Sequence, residues 1–348
     1  LSIFLLFCSL TFSANAAYIF IPMDESQSNH LKAYGIAYYA IERDVKVDWL
    51  LNYQGGSFLI KQHSTIENEC NIRGVSYQLI ADVQSTQILQ SIASPEVNQD
   101  VVRLEKAPKI AIYSPNNKQP WDDAVTLALA YAEIPYEVIY DEEVLSNLLP
   151  LYDWLHLHHE DFTGQYGKFY ASFKNATWYK DQKRDYEILA KKLGYEKVST
   201  EKLAVAKKIK EFVNGGGFLF AMCSATDSYD IALAAEGLDI CGPMFDGDAA
   251  DPSAQEKLDF SKTLAFKDFS LVKNPNQYEF SSIDATQKRR LNAKIDFFTL
   301  FDFSAKWDPV PTMLCQNHMQ VIKGFMGQTT AFKNEYIKSN VLIMGETK

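Results

Sequence analysis

Along most of this chain, short apolar runs with the period of a strand alternate with stretches at the 3.6-residue spacing of a helix. Tyr18 to Ile21 reads as a strand. Leu31, Tyr34, Tyr38 and Ile41 follow at helical spacing, with Ser28 or Asn29 available as N-cap. Val45, Val47 and Trp49 alternate as a strand, Gly55-Gly56 is a turn, Val75 to Ile80 is a strand and Thr86 to Ile92 a helix. Up to about Val102 the order is β-α-β-(β)-α-β-α. A polar stretch ending in Lys106-Ala107-Pro108 then gives way to the buried strand Ile110 to Tyr113. Pro120, with Asp122 and Asp123, opens a helix whose apolar stripe is Ala124, Leu127, Ala128 and Tyr131. Further strands are expected at Tyr136 to Tyr140, Tyr152 to Leu157 and Phe218 to Met222. The helix before the last of these runs from about Thr200 to Val213, turns Val205, Ala206, Ile209, Phe212 and Val213 inward, and stops at Asn214-Gly215-Gly216-Gly217. Strands separated by helices, without hairpin turns, predict a doubly wound, mostly parallel α/β sheet over residues 108–348. A smaller α/β domain over residues 17–107 precedes it.

The chain ends carry information of another kind. Leu1 to Ala17 is an apolar run followed by small and polar residues and holds no Asp, Glu, Lys or Arg. Ala14-Asn15-Ala16 has the small-x-small form of a signal-peptidase site, so residues 1–16 are expected to be a secretory leader that has lost its basic front. The run is shorter than the roughly 20 residues a spanning helix needs, and no later stretch is long and apolar enough. Val341 to Gly345 is strand-like and is followed only by Glu346, Thr347 and Lys348. A sheet protein is expected to continue beyond such a strand. The protein is therefore expected in the periplasm or outside the cell. There Cys70, Cys223, Cys241 and Cys315 are free to pair, and no Cys-x-x-Cys suggests zinc. With 34 basic against 44 acidic side chains, the net charge of −10 excludes a basic footprint for nucleic acid or anionic lipid.

In an open parallel sheet, chemistry sits at the carboxyl ends of the strands, and three such ends are loaded. Phe218 to Met222 runs into Cys223, flanked at minus two and plus two by Ala221 and Ala225. This is the small-x-nucleophile-x-small pattern of a nucleophile elbow, followed by a helix expected from about Ser228. A helix N-terminus there would lower the thiol pKa. The bland alternative is a small buried cysteine closing a strand. The second end is His156-Leu157-His158-His159-Glu160-Asp161, where strand alternation puts His156, His158 and Glu160 on one face. His158, His159, Glu160 and Asp161 have the chemistry of an acid–base pair or a metal site; the alternative is buried, hydrogen-bonded imidazoles and an aspartate cap. The third is Asp246, Asp248 and Asp251 around Gly247, which would suit a divalent cation such as calcium but reads better as a solvated acidic loop. The aromatic stretch Phe162, Tyr166, Phe169, Tyr170, Phe173, Trp178 and Tyr179 reads as core ahead of a sugar platform.

The Cys223 elbow after Asn214-Gly215-Gly216-Gly217, on a sheet begun by Lys109-Ile110-Ala111-Ile112-Tyr113, resembles the class I glutamine amidotransferase-like fold, a flavodoxin-like architecture. In working members the elbow cysteine attacks the glutamine amide and a later His-x-Glu completes the triad. Here the later histidine is His318, and Gln320 stands two beyond it, so that pair is not matched. Ile21-Pro22-Met23-Asp24, Trp49-Leu50-Leu51-Asn52-Tyr53 and the segment from Asp153 to Gly167 resemble a family of exported Bacteroidota proteins often labelled asparagine synthetase B. The label implies glutamine-dependent synthesis of asparagine. A synthetase of that kind begins its mature chain with a nucleophilic cysteine and grips pyrophosphate with Ser-Gly-Gly-x-Asp-Ser; this chain has neither.

The expectation is an exported hydrolase of an amide or other carbon–nitrogen bond. Cys223 would be nucleophile, His158 or His159 base, Glu160 or Asp161 would orient the imidazole, and the Ser224 amide would hold the oxyanion. Its substrate would be a small molecule or glycan, with no organic cofactor. The rival expectation is a carbohydrate- or partner-binding envelope protein in which the triad has decayed.

Overall fold

The computed structural model describes residues 16–115, 124–284, 294–295, 297–300, 302–307, 316–323 and 333–339. Residues 1–15 of the expected leader (1–16), the expected helix start at Pro120, Asp122 and Asp123, Cys315 and the terminal run 341–348 lie outside them. No helix among the described residues is long and apolar enough to cross a membrane. The chain divides into two compact units. One comprises residues 1–107, 131–134 and 299–322; the other comprises 108–130, 135–298 and 323–348.

The first unit runs β1 (Ala16–Ile21), α1 (His30–Glu42), β2 (Val47–Leu51), β3 (Ser57–Lys61), α2 (Ser64–Arg73), β4 (Gln78–Ala81), α3 (Asp82–Ala93) and β5 (Asp100–Leu104). Its sheet has the order β4-β1-β3-β2-β5, and every neighbouring pair is antiparallel. Ile19 and Ile21 pack with Ala33, Ile36, Ala37 and Ala40 of α1 and Ile66 of α2. Phe20, Leu50 and Leu59 pack with Ile92 and, partly buried, Ile88 and Leu89 of α3. A sheet buried on both faces gives continuous apolar runs, which carry no mark of strand direction. Asn29 caps α1 by accepting the Lys32 N–H at 3.2 Å. The β2–β3 turn needs Gly55 at φ 73°, because a Cβ there would lie 2.2 Å from the Met23 carbonyl oxygen.

The second unit runs β6 (Ile110–Tyr113), α4 (Ala124–Ala132), β7 (Glu137–Ile139), α5 (Asp141–Leu145), β8 (Trp154–Leu157), α6 (Tyr170–Phe173), α7 (Thr177–Lys192), α8 (Val198–Asn214), β9 (Phe218–Ala221) and α9 (Ser224–Ala234). Four strands form a sheet of order β7-β6-β8-β9, all parallel. Ala111, Tyr113, Leu155 and Leu157 share one sheet face and pack with Val205, Ala206, Ile209 and Phe212 of α8 and Ala225, Tyr229, Ala232 and Leu233 of α9. The inward face of α8 is the one its spacing predicts. That of α4 is not: Leu127 and Tyr131 are exposed while Leu129 and Ala132 are buried. Nine residues of nearly uninterrupted apolar character leave the phase of that helix undetermined by its own sequence. Gly216 and Gly217 end α8, their N–H groups donating to the Val213 and Phe212 carbonyls. The aromatic stretch is largely core: Phe162, Tyr166 and Tyr179 are buried, Phe169, Tyr170 and Trp178 partly so, and Phe173 lies at the surface. Cys70, Cys223 and Cys241 are free thiols.

Candidate active site at the carboxyl edge of the parallel sheet

β9 ends at Ala221, and the Met222 N–H prolongs its ladder by donating to the Leu157 oxygen at 2.9 Å. Cys223 follows with φ 49° and ψ −136°, and α9 starts immediately at Ser224, four residues earlier than its sequence suggests. Positive φ with strongly negative ψ is glycine territory; for a residue with a Cβ it costs of order 1–3 kcal/mol. Ala225 is wholly buried under the turn and its N–H donates to both the Met222 and His158 carbonyls at 3.2 Å. A larger residue there would push the helix off the sheet. The first turn of α9 is also stitched to the end of β8. The Ser224 hydroxyl donates to the His159 oxygen at 3.0 Å and the Ser228 hydroxyl to the Glu160 oxygen at 3.1 Å.

β8 stops at Leu157, and the expected faces hold only in part: the His156 ring lies 5.8 Å from that of His158, but His159 does not turn to the opposite face. His156 is a core residue, wholly buried, its ring stacked 5.5 Å from that of Phe220. The His158 and His159 rings instead lie on each other, with centroids 3.6 Å apart and planes at 24°. Glu160 accepts the main-chain N–H of His158 through Oε2 at 2.8 Å. Asp161 does not serve an imidazole in this geometry. Its Oδ1 accepts the Thr163 N–H and hydroxyl at 2.7 and 2.6 Å, and its Oδ2 accepts the Gly167 N–H at 3.0 Å. It winds its own loop, as aspartates at strand ends do.

The electrostatics correct one expectation. Burial pushes the Cys223 thiol above its ordinary range, and the carboxylates of Asp227 and Asp284 push the same way, against the Ser224 N–H. The helix N-terminus does not win. Burial also raises Glu160 to about 7, and it lifts Asp227 well above the usual carboxylate range with Asp284 as the next cause. Beyond β6 and β7 the sheet edge is filled by a buried network. The Lys202 ammonium donates to both oxygens of Asp141 at 2.7 and 2.6 Å and to the Tyr113 and Tyr140 hydroxyls at 2.9 Å. Glu201 beside it is pushed up to about 8 by burial.

Asp246, Asp248 and Asp251 do not converge on one point. Asp246 and Asp248, with Asp239, surround the Lys197 ammonium at 3.0, 2.6 and 2.5 Å, while Asp251 pairs with Lys257 at 2.8 Å. Asp239, Cys241 and Asp246 bring donor atoms within 4.8 Å of one another. Burial holds the Cys241 thiol in its protonated form, and Lys197 already supplies the cation.

The first unit has a polar cleft of about 480 Å³ lined by Asp24, Asn52, Asp302, Asn317 and His318 among others. Among its described lining residues there is no cysteine. His318 belongs to this unit. Its Nδ1 lies 2.9 Å from the Gly55 oxygen, its Nε2 3.2 Å from the Tyr34 hydroxyl, and its ring stacks on His30 at 4.7 Å. Sequence reading missed the cleft because its residues are scattered from 24 to 320 with no common motif. It also passed over Asp227 and Asp284. The position of Asp227 one helical turn after Cys223 was the available signal. No family model matches the chain, and no curated protein or solved structure matches it.

Proposed function

We propose that this protein is an exported cysteine hydrolase with an amidotransferase-like second unit, cleaving an amide or related carbon–nitrogen bond at Cys223. The observation that carries the reading is the strained backbone of Cys223 at a strand-to-helix turn on the carboxyl edge of a parallel sheet. Glycine would occupy that φ/ψ without cost, so a cysteine there is retained for its sulfur. The strand order supports the architecture, since the first four strands of a flavodoxin-like sheet are arranged second-first-third-fourth. The leader-like residues 1–16 support export.

The raised thiol requires a base in the step itself. A proton acceptor of the His158–Glu160 segment takes the Sγ proton as the sulfur attacks the carbonyl carbon, and the Ser224 N–H supports the oxyanion. The same group returns the proton to the departing nitrogen as the C–N bond breaks. Water then hydrolyses the thioester, releasing the acid and restoring the thiol. Glu160, poised near neutrality, is suited to hold that proton. Ammonia release from a panel of primary amides, glutamine included, tests the reading. Cys223→Ala should abolish release while the chain still folds, as its circular dichroism spectrum would show. Undiminished release by the variant, or no release by the wild type, overturns it. The cleft of Asp24, Asn52 and Asp302 favours a second reading, a glycan-binding protein, which calorimetric titration with oligosaccharides would reveal.

A further inference from the structure

The polar cleft of the first unit is built from stretches of chain far apart in sequence. Residues 24–26, with Asn52 and Gly55 of the β2–β3 turn, come from the start of the chain; residues 300, 302 and 317–320 come from near its end. All belong to the first unit. Hydrogen bonds tie the early and late stretches together. The Asn52 N–H donates to the Gln316 side-chain oxygen at 2.5 Å, the Asn52 side-chain amide to the Phe303 oxygen at 2.7 Å, and His318 Nδ1 lies 2.9 Å from the Gly55 oxygen. The Leu300 N–H donates to the Gln320 oxygen at 2.8 Å, closing the late stretch on itself. A cleft pinned in this way is formed before a ligand arrives, which lowers the ordering cost of binding. Its volume of about 480 Å³ suits a small molecule.

The lining is one-sided in charge. Asp24, Glu25 and Asp302 contribute carboxylates, and no Lys or Arg stands among the described lining residues. Asp24 is engaged locally, its Oδ1 accepting the Ser26 N–H and hydroxyl at 3.0 and 2.5 Å. Elsewhere in this unit Glu105 meets Lys46, Asp48 meets Arg103 and Glu133 meets Arg73. Glu25 and Asp302 have no such cation among the described residues. His318 adds no positive charge near neutral pH, because burial pushes its imidazole below the ordinary range. A concave surface lined by one sign of charge concentrates the opposite sign. Asn317 and Gln320 add amide groups, which both donate to and accept from hydroxyls.

We infer that this cleft binds a small saccharide bearing a free primary amine, with the ammonium at Asp302 and Glu25 and the sugar hydroxyls on the amide side chains. The inference rests on the glycan-binding reading of the cleft and narrows it to one class of sugar. Acidic sugars are excluded on the same ground, since a carboxylate or sulfate would meet like charge on every side.

Calorimetric titration of the full chain tests this with the β-1,4-linked glucosamine disaccharide carrying both free amines, its di-N-acetylated form, and putrescine, a diamine without hydroxyls. The free-amine disaccharide should bind, and more weakly as salt is raised. The acetylated form keeps the ring hydroxyls without the charge and should bind about tenfold more weakly, the scale of one charged hydrogen bond. Asp302→Asn and Glu25→Gln keep side-chain volume and remove charge, and each should raise the dissociation constant about threefold to tenfold. The net charge of −10 draws any cation toward the protein, and these two variants separate the cleft from that background. Equal binding of both disaccharides overturns the amine while the glycan reading stands, and binding of neither overturns both. Putrescine binding as tightly as the free-amine disaccharide overturns the sugar. An unchanged constant in both variants puts the ligand outside the cleft and overturns the site.

Discussion

The two units bury different kinds of polar group. Among the described residues, the first buries Gln27, Ser57 and Ser85. Its most enclosed charges, Asp48 at 9% exposure and Arg73 with a side chain 7% exposed, both meet groups nearer the surface: Arg103 for the first, Glu69 and Glu133 for the second. The second buries Asp141, Lys168, Glu201, Lys202, Asp227 and Asp230, each at 3% exposure or less. An ion removed from water costs several kcal/mol before any partner is counted. A chain that needed only a stable α/β layer had the cheaper solution available in its own first unit. Most of the buried charges of the second lie along the carboxyl edge of the parallel sheet, where β6, β7, β8 and β9 end. Asp230 is a local exception with a structural task, its oxygens accepting the N–H groups of Leu264, Ala265 and Phe266. The difference separates a unit organised for packing from one organised around ionisable groups.

The contrast is most exposed at Lys202. Replacing it by Met leaves the Asp141 carboxylate in a pocket of tyrosine rings without its ammonium, a loss of about 3–5 kcal/mol. Arg103→Ala in the first unit removes a pair open to solvent and should cost no more than about 1 kcal/mol. Urea unfolding of the two variants measures both. Equal losses would show that the buried network has no special place in the second unit.

A smaller effect follows from Glu160. Its folded pKa of about 7 exceeds that of a solvated glutamate, so between about pH 4.5 and 7 the folded state holds a proton that the unfolded chain has released. Stability is therefore greatest below that window, falls as the pH rises through it and levels off above 7. Glu160→Gln cannot ionise and should lack the slope, standing about 3 kcal/mol above the wild type at pH near 8 relative to their difference in acid. Thermal melts across that range would show it. Parallel stability curves would mean that Glu160 is solvated like the exposed acids of the first unit.

How much of this was legible in the sequence divides along the same line. The strands and the inward face of α8 follow from periodicity, and the Cys223 turn from the small residues at 221 and 225. The direction of the first sheet does not, because strands such as Ile19-Phe20-Ile21 are buried on both faces and look the same either way. β5 was hidden in a polar edge sequence whose Asp100 and Arg103 are exposed. The thiol's environment was out of reach for a different reason. Asp284 acts on Cys223 from sixty residues along the chain, and desolvation depends on packing that no local pattern records. Lys168 carried no signal at all: a single lysine in a glycine-containing loop normally faces water.

The smallest effect is the one most specific to the proposed nucleophile. In the first unit the β2–β3 turn gives positive φ to Asn52, Gln54, Gly55 and Gly56, and the two tightest positions fall to glycine. The second unit gives the equivalent burden to Cys223. If that backbone is strained, Cys223→Gly should be more stable than Cys223→Ala by about 1 kcal/mol, although glycine normally destabilises relative to alanine by a similar amount. Both variants lose the sulfur and its burial, so their difference isolates the backbone. A calorimetric comparison reads it as a higher midpoint for the glycine variant. The usual order, alanine above glycine, would mean that Cys223 sits in an ordinary turn, and the two units would then differ in their charges alone.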